Sequence, residues 1–222
     1  MSNWDILVLD KSASMCKNKK DLIDGFNNLV LEQQAEKSTN LLTVITFNNN
    51  VEVLKEETFP NVSKIEDSNI ITEGSTALLD AVGEVYDMIL NNDNYTNITI
   101  TIITDGQENS SKNYTIDNLN ERKKLIDEKY TLNMIFIGAD ISCLTENEVN
   151  AHASRSVDCS GNIQHALRIA SRTMSSGRDG SQYTPEGIVE LNRVTPLEIK
   201  RSFSSTNERP SKVKRCKTFC KF

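Results

Sequence analysis

Histidine is nearly absent from this chain. His152 and His165 are the only two, and neither lies in a nucleophile-elbow context, so a hydrolase triad has no obvious general base. Glycine is sparse, nine in all, and none of it forms a phosphate-cradling loop. No apolar stretch approaches the roughly 20 residues that span a bilayer. Met1-Ser2-Asn3-Trp4-Asp5 shows no basic region followed by an apolar one, so no signal peptide is expected. The five cysteines, Cys16, Cys143, Cys159, Cys216 and Cys220, are odd in number and scattered. That pattern excludes a disulfide framework and predicts reduced thiols in an intracellular, cytoplasmic setting. Cys216 and Cys220 have a CxxxC spacing with no neighbouring histidine, a weak zinc motif.

Acid exceeds base, for a net charge of -6, but the excess is uneven. From Arg209 onward the chain carries Arg209, Lys212, Lys214, Arg215, Lys217 and Lys221 with no acid. The preceding part is therefore more acidic than the total. This disfavours nucleic-acid binding by that part and leaves an acidic protein surface or nucleic acid open to the tail. The 222 residues suffice for one well-cored domain with something appended. Ser175-Ser176-Gly177-Arg178-Asp179-Gly180-Ser181 reads as a linker. The predicted division is a domain over 1–176 and an irregular basic extension over 177–222. The only sizeable apolar set in that extension is Val189, Leu191, Val194, Leu197, Ile199 and Phe203.

What the chain does have is an oxygen-rich loop after a buried strand. Ile6 to Leu9 is a short apolar run that ends in Asp10-Lys11-Ser12-Ala13-Ser14. One carboxylate and two hydroxyls thus share a tight loop, and hard cations such as Mg²⁺ take oxygen ligands. Asp and Ser are also ordinary helix N-caps, the plainer reading of such a loop. Two further segments add to it. Glu73-Gly74-Ser75-Thr76 places a hydroxyl just before a helix, and the β-branched strand Ile98–Ile103 ends in Thr104-Asp105-Gly106.

The remaining periodicity alternates strand and helix. Leu22, Ile23, Phe26, Leu29 and Val30 recur at helical spacing. Leu41–Phe47 is a strand, Asn48-Asn49-Asn50 a turn, and Val51–Leu54 an antiparallel edge partner. Helices follow at Leu78–Ile89 and 116–129, a strand at Leu132–Ile137, a short helix around 146–151, a strand near 156–158 and a helix over 162–174. Such alternation predicts a largely parallel sheet covered on both faces, with the first strand and Ile98–Ile103 as central neighbours.

In order, Asp10, Ser12, Ser14, Thr76 and Asp105 resemble the metal-ion-dependent adhesion site of von Willebrand factor A (vWA) domains. "DGFNNLVLEQQ", "GSTALLDAV", "ITDGQENSSKNYT" and "MIFIGAD" are similar to the small stand-alone vWA proteins of bacteria, phages and large DNA viruses. The resemblance runs from about Trp4 to about Met174. It implies an α/β, Rossmann-like three-layer sandwich with one antiparallel edge strand. It implies Mg²⁺, or Mn²⁺ or Ca²⁺, held by those five residues, with Lys11, Gly74, Ser75, Gln107 and Glu108 on the rim facing a partner. Neutral hydroxyls leave such an ion electrophilic enough to take a carboxylate from another protein. Ala13 stands where the family often has Gly, so the loop must keep to right-handed or extended backbone. Lys11 either favours an acidic ligand or is simply solvated. A haloacid-dehalogenase-type phosphotransferase needs a second Asp where Ser12 stands, so catalysis is not expected. The expected role is a non-catalytic interaction module. The alternative is a structural assembly protein, such as a minor virion component, with the domain as docking block and the tail as anchor.

Overall fold

The computed structural model describes residues 3–138, 152–159 and 162–179, all within one compact unit, Met1–Gln182. The expected helix around 146–151, the apolar set from Val189 to Phe203 and the basic residues Arg209 to Lys221 lie outside the described residues.

Six strands form one sheet in the order β3-β2-β1-β4-β5-β6. They are β1 (Asn3–Asp10), β2 (Leu41–Phe47), β3 (Val51–Thr58), β4 (Asn97–Thr104), β5 (Thr131–Gly138) and β6 (Arg155–Asp158). All neighbours are parallel except β2 and β3. β3 is the antiparallel edge strand, but it continues past the expected Leu54 to Thr58, pairing Thr58 with Leu41 across a bulge at Val44/Ile45. Its extra residues, Lys55, Glu56 and Glu57, are charged and carry no apolar alternation, which is why pattern alone ended the strand early.

The central strands are apolar on both faces because helices cover both. Ile6 and Val8 join a cluster with Ile100, Ile102, Leu78, Val82 and Ile126. Leu7 and Leu9 point the other way, into a cluster with Leu22, Phe26, Leu167 and Ala170. One face therefore carries helices α2 (Leu78–Leu90) and α3 (Ile116–Lys129), the other α1 (Lys19–Ala35) and α4 (Ile163–Asp179). α4 corrects the linker reading. The helix runs through Ser175 to Asp179, so the expected boundary at 176/177 falls inside it. Ser175 is turned into the structure, donating to Ser171 O at 3.1 Å and accepting from buried Gln33 Nε2 at 3.1 Å. These partners make a serine helical that composition alone assigns to a loop.

On the other face, Gly83 of α2 lies against the ring of Tyr114. An added Cβ would sit 2.1 Å from that ring. The ring cannot yield freely, because its hydroxyl donates to Asp87 Oδ2 at 2.6 Å and Arg122 covers its face at 5.1 Å. The Arg122 guanidinium in turn holds the Asp87 carboxyl below its usual range. Nearby, His152 is buried, with Asn120 Oδ1 at 2.7 Å from Nε2 and the Tyr86 hydroxyl at 3.1 Å from Nδ1. This pairing assigns the neutral tautomer with the proton on Nε2 and Nδ1 accepting from Tyr86.

Gly83→Ala gains about 1 kcal/mol of helix propensity and loses about 1–3 kcal/mol to overpacking. Urea unfolding should show a net loss of up to about 2 kcal/mol; a gain would mean that the ring moves freely. Burial, reinforced by the Lys123 ammonium, holds the His152 pKa below its ordinary 6.5. The unfolded chain therefore takes up its proton first as pH falls. Stability supplied by neutral His152 is full above about pH 6.5 and declines as pH drops towards the folded-state value. His165 is shifted the same way. The urea midpoint should thus fall between pH 7.5 and 5.5, and fall less in His152→Gln.

Candidate functional site

The chain leaves β1 at its C-terminal end for α1 and β2 on one side, while β4 lies on the other. Strand order reverses here, and in open α/β sheets a crevice opens at such a point. Asp10, the last residue of β1, is fully buried in it. Its Oδ1 accepts from Ser12 N–H at 2.6 Å and its Oδ2 from Thr104 Oγ1 at 2.5 Å. Burial raises the Asp10 pKa, opposed by the Thr104 and Ser12 hydrogen bonds and aided by the neighbouring Asp105 carboxylate.

Ser12 is extended, at φ -61° and ψ 166°, and a 3₁₀ turn over Ala13–Lys17 follows. Ala13 thus begins a right-handed turn, the backbone that a non-glycine residue permits there. The Ser12 and Ser14 hydroxyls lie 3.0 Å apart. Ser14 Oγ donates to Asp105 Oδ1 at 2.5 Å, and Asn18 Nδ2 donates to Asp105 Oδ2 at 3.1 Å.

Thr76 arrives on a loop clamped from three directions. Ala13 N–H donates to Gly74 O at 3.0 Å. From the β2–β3 turn, Asn49 Oδ1 accepts from Ser75 N–H at 2.9 Å and Asn48 Nδ2 donates to Glu73 O at 3.1 Å. Asn109 Oδ1 accepts from Thr76 N–H at 2.9 Å. Gly74 has φ +75°, and a Cβ there would meet Asn49 Oδ1 at 2.1 Å. Opposite, a Cβ on Gly106 would lie 2.8 Å from Thr76 Oγ1 and 3.6 Å from Asp10 Oδ2. One point at Gly106 is thus close to both oxygens, and the structure brings all five side chains together. Ser14 is exposed and Asp105 half-buried, so the cluster opens to solvent.

The N-cap position of α2 is Ala77, not Thr76. The capping acceptor is Glu108, whose Oε2 takes Leu79 N–H at 2.9 Å and whose Oε1 takes Ser110 and Ser111 N–H at 2.9 and 2.8 Å. Both oxygens of this expected rim residue are therefore spent on braces. Lys11 is ion-paired with Glu52 at 2.6 Å and largely buried, not a simply solvated side chain. Gly74, Ser75 and Gln107 are exposed at the rim.

Five residues that hold the site are not assigned to it by the sequence reading: Thr104, Asn18, Asn49, Asn109 and Asp80. Asp80, buried in the first turn of α2, accepts from Lys112, Asn113 and Tyr114 N–H at 2.9–3.0 Å and fixes the course of the Asp105 loop. Thr104 alone carried a local signal, a hydroxyl at a strand end directly before an acid. The others act across long sequence separations.

Two carboxylates and three hydroxyls are an all-oxygen donor set. Among the described residues no group of three or more His, Cys, Asp and Glu side chains is gathered as a metal cluster. The oxygen set fits a hard divalent ion of the Mg²⁺ type.

Residues 6–107 match the family model described as the von Willebrand factor type A domain. The fold is that of a vWA domain. Solved structures with this fold include a von Willebrand factor type A protein from Catenulispora acidiphila, at 13% identity and TM-score 0.54, covering 78% of this chain and 43% of that one. The PilB minor pilin of Streptococcus sanguinis matches at 12% identity and TM-score 0.60, covering 81% of this chain and 62% of the pilin. The vWF domain of the type V pili tip protein Mfa5 from Porphyromonas gingivalis matches at 10% identity and TM-score 0.57, covering 83% of this chain and 98% of that one. The chain thus spans less than two thirds of the first two. Among curated proteins no sequence matches.

Because burial and the neighbouring Asp105 disfavour a charge on Asp10, a neutral amide in its place should relieve the ion-free vWA fold. Asp10→Asn in EDTA should melt at or above the wild-type temperature; a large drop would make Asp10 a structural acid.

Proposed function

We propose that this chain is a non-catalytic protein-interaction module that binds an acidic group of a partner through a divalent cation of the Mg²⁺ type. The observation that carries this reading is the convergence of Asp10, Ser12, Ser14, Thr76 and Asp105 at the strand-order reversal, open to solvent at Ser14 and Asp105. When bound, the ion supplies a Lewis-acidic position for one more oxygen, and a carboxylate suits it best. The hydroxyls orient that position without adding negative charge, and the two carboxylates hold the cation.

The vWA fold supports a protein-binding role. Solved structures with this fold include the pilus adhesin SpaC of Lactobacillus rhamnosus GG, at 12% identity and TM-score 0.59, besides the minor pilin and pili tip protein above. The placement of His152 also favours a non-catalytic reading, since both ring nitrogens are occupied, by Tyr86 and Asn120. Among the described residues no helix is long and apolar enough to cross a membrane.

Calorimetric titration with Mn²⁺ should give one site, and Ser14→Ala and Asp105→Ala should each weaken it by about tenfold or more, as loss of a ligand from a small oxygen set implies. A peptide array with paired Asp/Glu and Asn/Gln sequences should capture the protein on acidic members only, and EDTA should abolish capture. Binding indifferent to EDTA would remove the ion-bridge reading and leave the domain as a docking block.

A further inference from the structure

We propose that Asn18 is a positioning residue that sets the cation affinity of the site by fixing the Asp105 carboxylate; this rests on the ion-binding reading above. Asp105 sits on the loop after β4 and belongs to no regular element. Two side chains from the other loop hold it. Ser14 donates to Oδ1 and Asn18 to Oδ2, from opposite ends of the 3₁₀ turn Ala13–Lys17. The turn therefore grips both oxygens of one carboxylate.

The consequence is chemical. A serine hydroxyl that offers a lone pair to a cation needs an acceptor for its own proton, and Asp105 Oδ1 is that acceptor for Ser14. With Oδ2 tied to Asn18, Oδ1 stays at Ser14 and the carboxylate cannot rotate away. Without Asn18 the carboxylate is held by Ser14 alone, and ordering it falls on the ion. Asn18 is also a neutral donor. It orients Asp105 and leaves the full negative charge for the cation, where a lysine would cancel it. The Asn18 side chain makes no capping bond to α1, although its backbone occupies the N-cap position. Its amide is therefore dispensable for the helix. Hydrogen-bond partners one step outside a metal's ligands commonly govern affinity by 10–100-fold.

The test is Mn²⁺ titration of the full chain by calorimetry, with melting curves in EDTA and in excess Mn²⁺. Asn18→Ala and the near-isosteric Asn18→Leu both remove the donor, so one suffices if the other does not fold. The expected result is Mn²⁺ affinity about tenfold weaker, a smaller Mn²⁺-induced rise in melting temperature and an almost unchanged melting temperature in EDTA. Wild-type affinity in both variants would overturn the role of Asn18 and leave the ion site standing. An equal loss of melting temperature with and without Mn²⁺, at wild-type affinity, would make Asn18 a fold residue only. No Mn²⁺ binding by the wild type would overturn both the site and this inference.

Discussion

The parallel pairing of β1 with β4 is the constraint on which the site depends. It brings two strand ends side by side, and Thr104 closes the junction by donating to Asp10. A buried carboxylate without partners would be costly, so this bond and the Ser12 N–H are what let Asp10 remain at the floor of the crevice. The loops then assemble around a fixed point. The Ser12–Ser14 loop continues into α1 on one face of the sheet. The Thr76 loop enters α2 and the Asp105 loop leads to α3, both on the other face. The cluster is thus the place where both helical layers meet across the end of the sheet.

The loops are irregular, yet they are not held by each other's side chains alone. Asp80 and Glu108 gather backbone N–H groups, and Asn48, Asn49 and Asn109 supply amides to backbone on neighbouring segments. Unpaired backbone polar groups away from water are expensive, and these side chains satisfy them where no helix or strand can. The bracing set and the cluster of five are different residues.

Much of this was legible in the sequence, for identifiable reasons. The β1 and β4 runs are apolar on both faces, and the three oxygen-bearing segments stand at strand ends or helix starts, so fold and cluster could be read together. The end of β3 was not legible because a solvated edge strand with Lys55, Glu56 and Glu57 has no apolar period. The last turn of α4 was missed because Ser175 and Gly177 have loop character, while the contacts of Ser175 with Gln33 of α1 and with Glu36 at its C-cap lie far off in sequence. The capping role of Glu108 was not legible because the N–H it takes at the start of α2, that of Leu79, lies 29 residues away, a relation that local pattern does not carry.

The two edges of the sheet have a consequence for self-association. An open edge offers unpaired backbone to any passing strand, and long, flat, apolar edges template aggregation. β3 is bent by its bulge and carries Glu52, Lys55, Glu56 and Glu57, while β6 is only four residues long. Neither edge is a good template. Among the described residues the sheet thus presents no long, flat, apolar edge for a strand of another copy to extend.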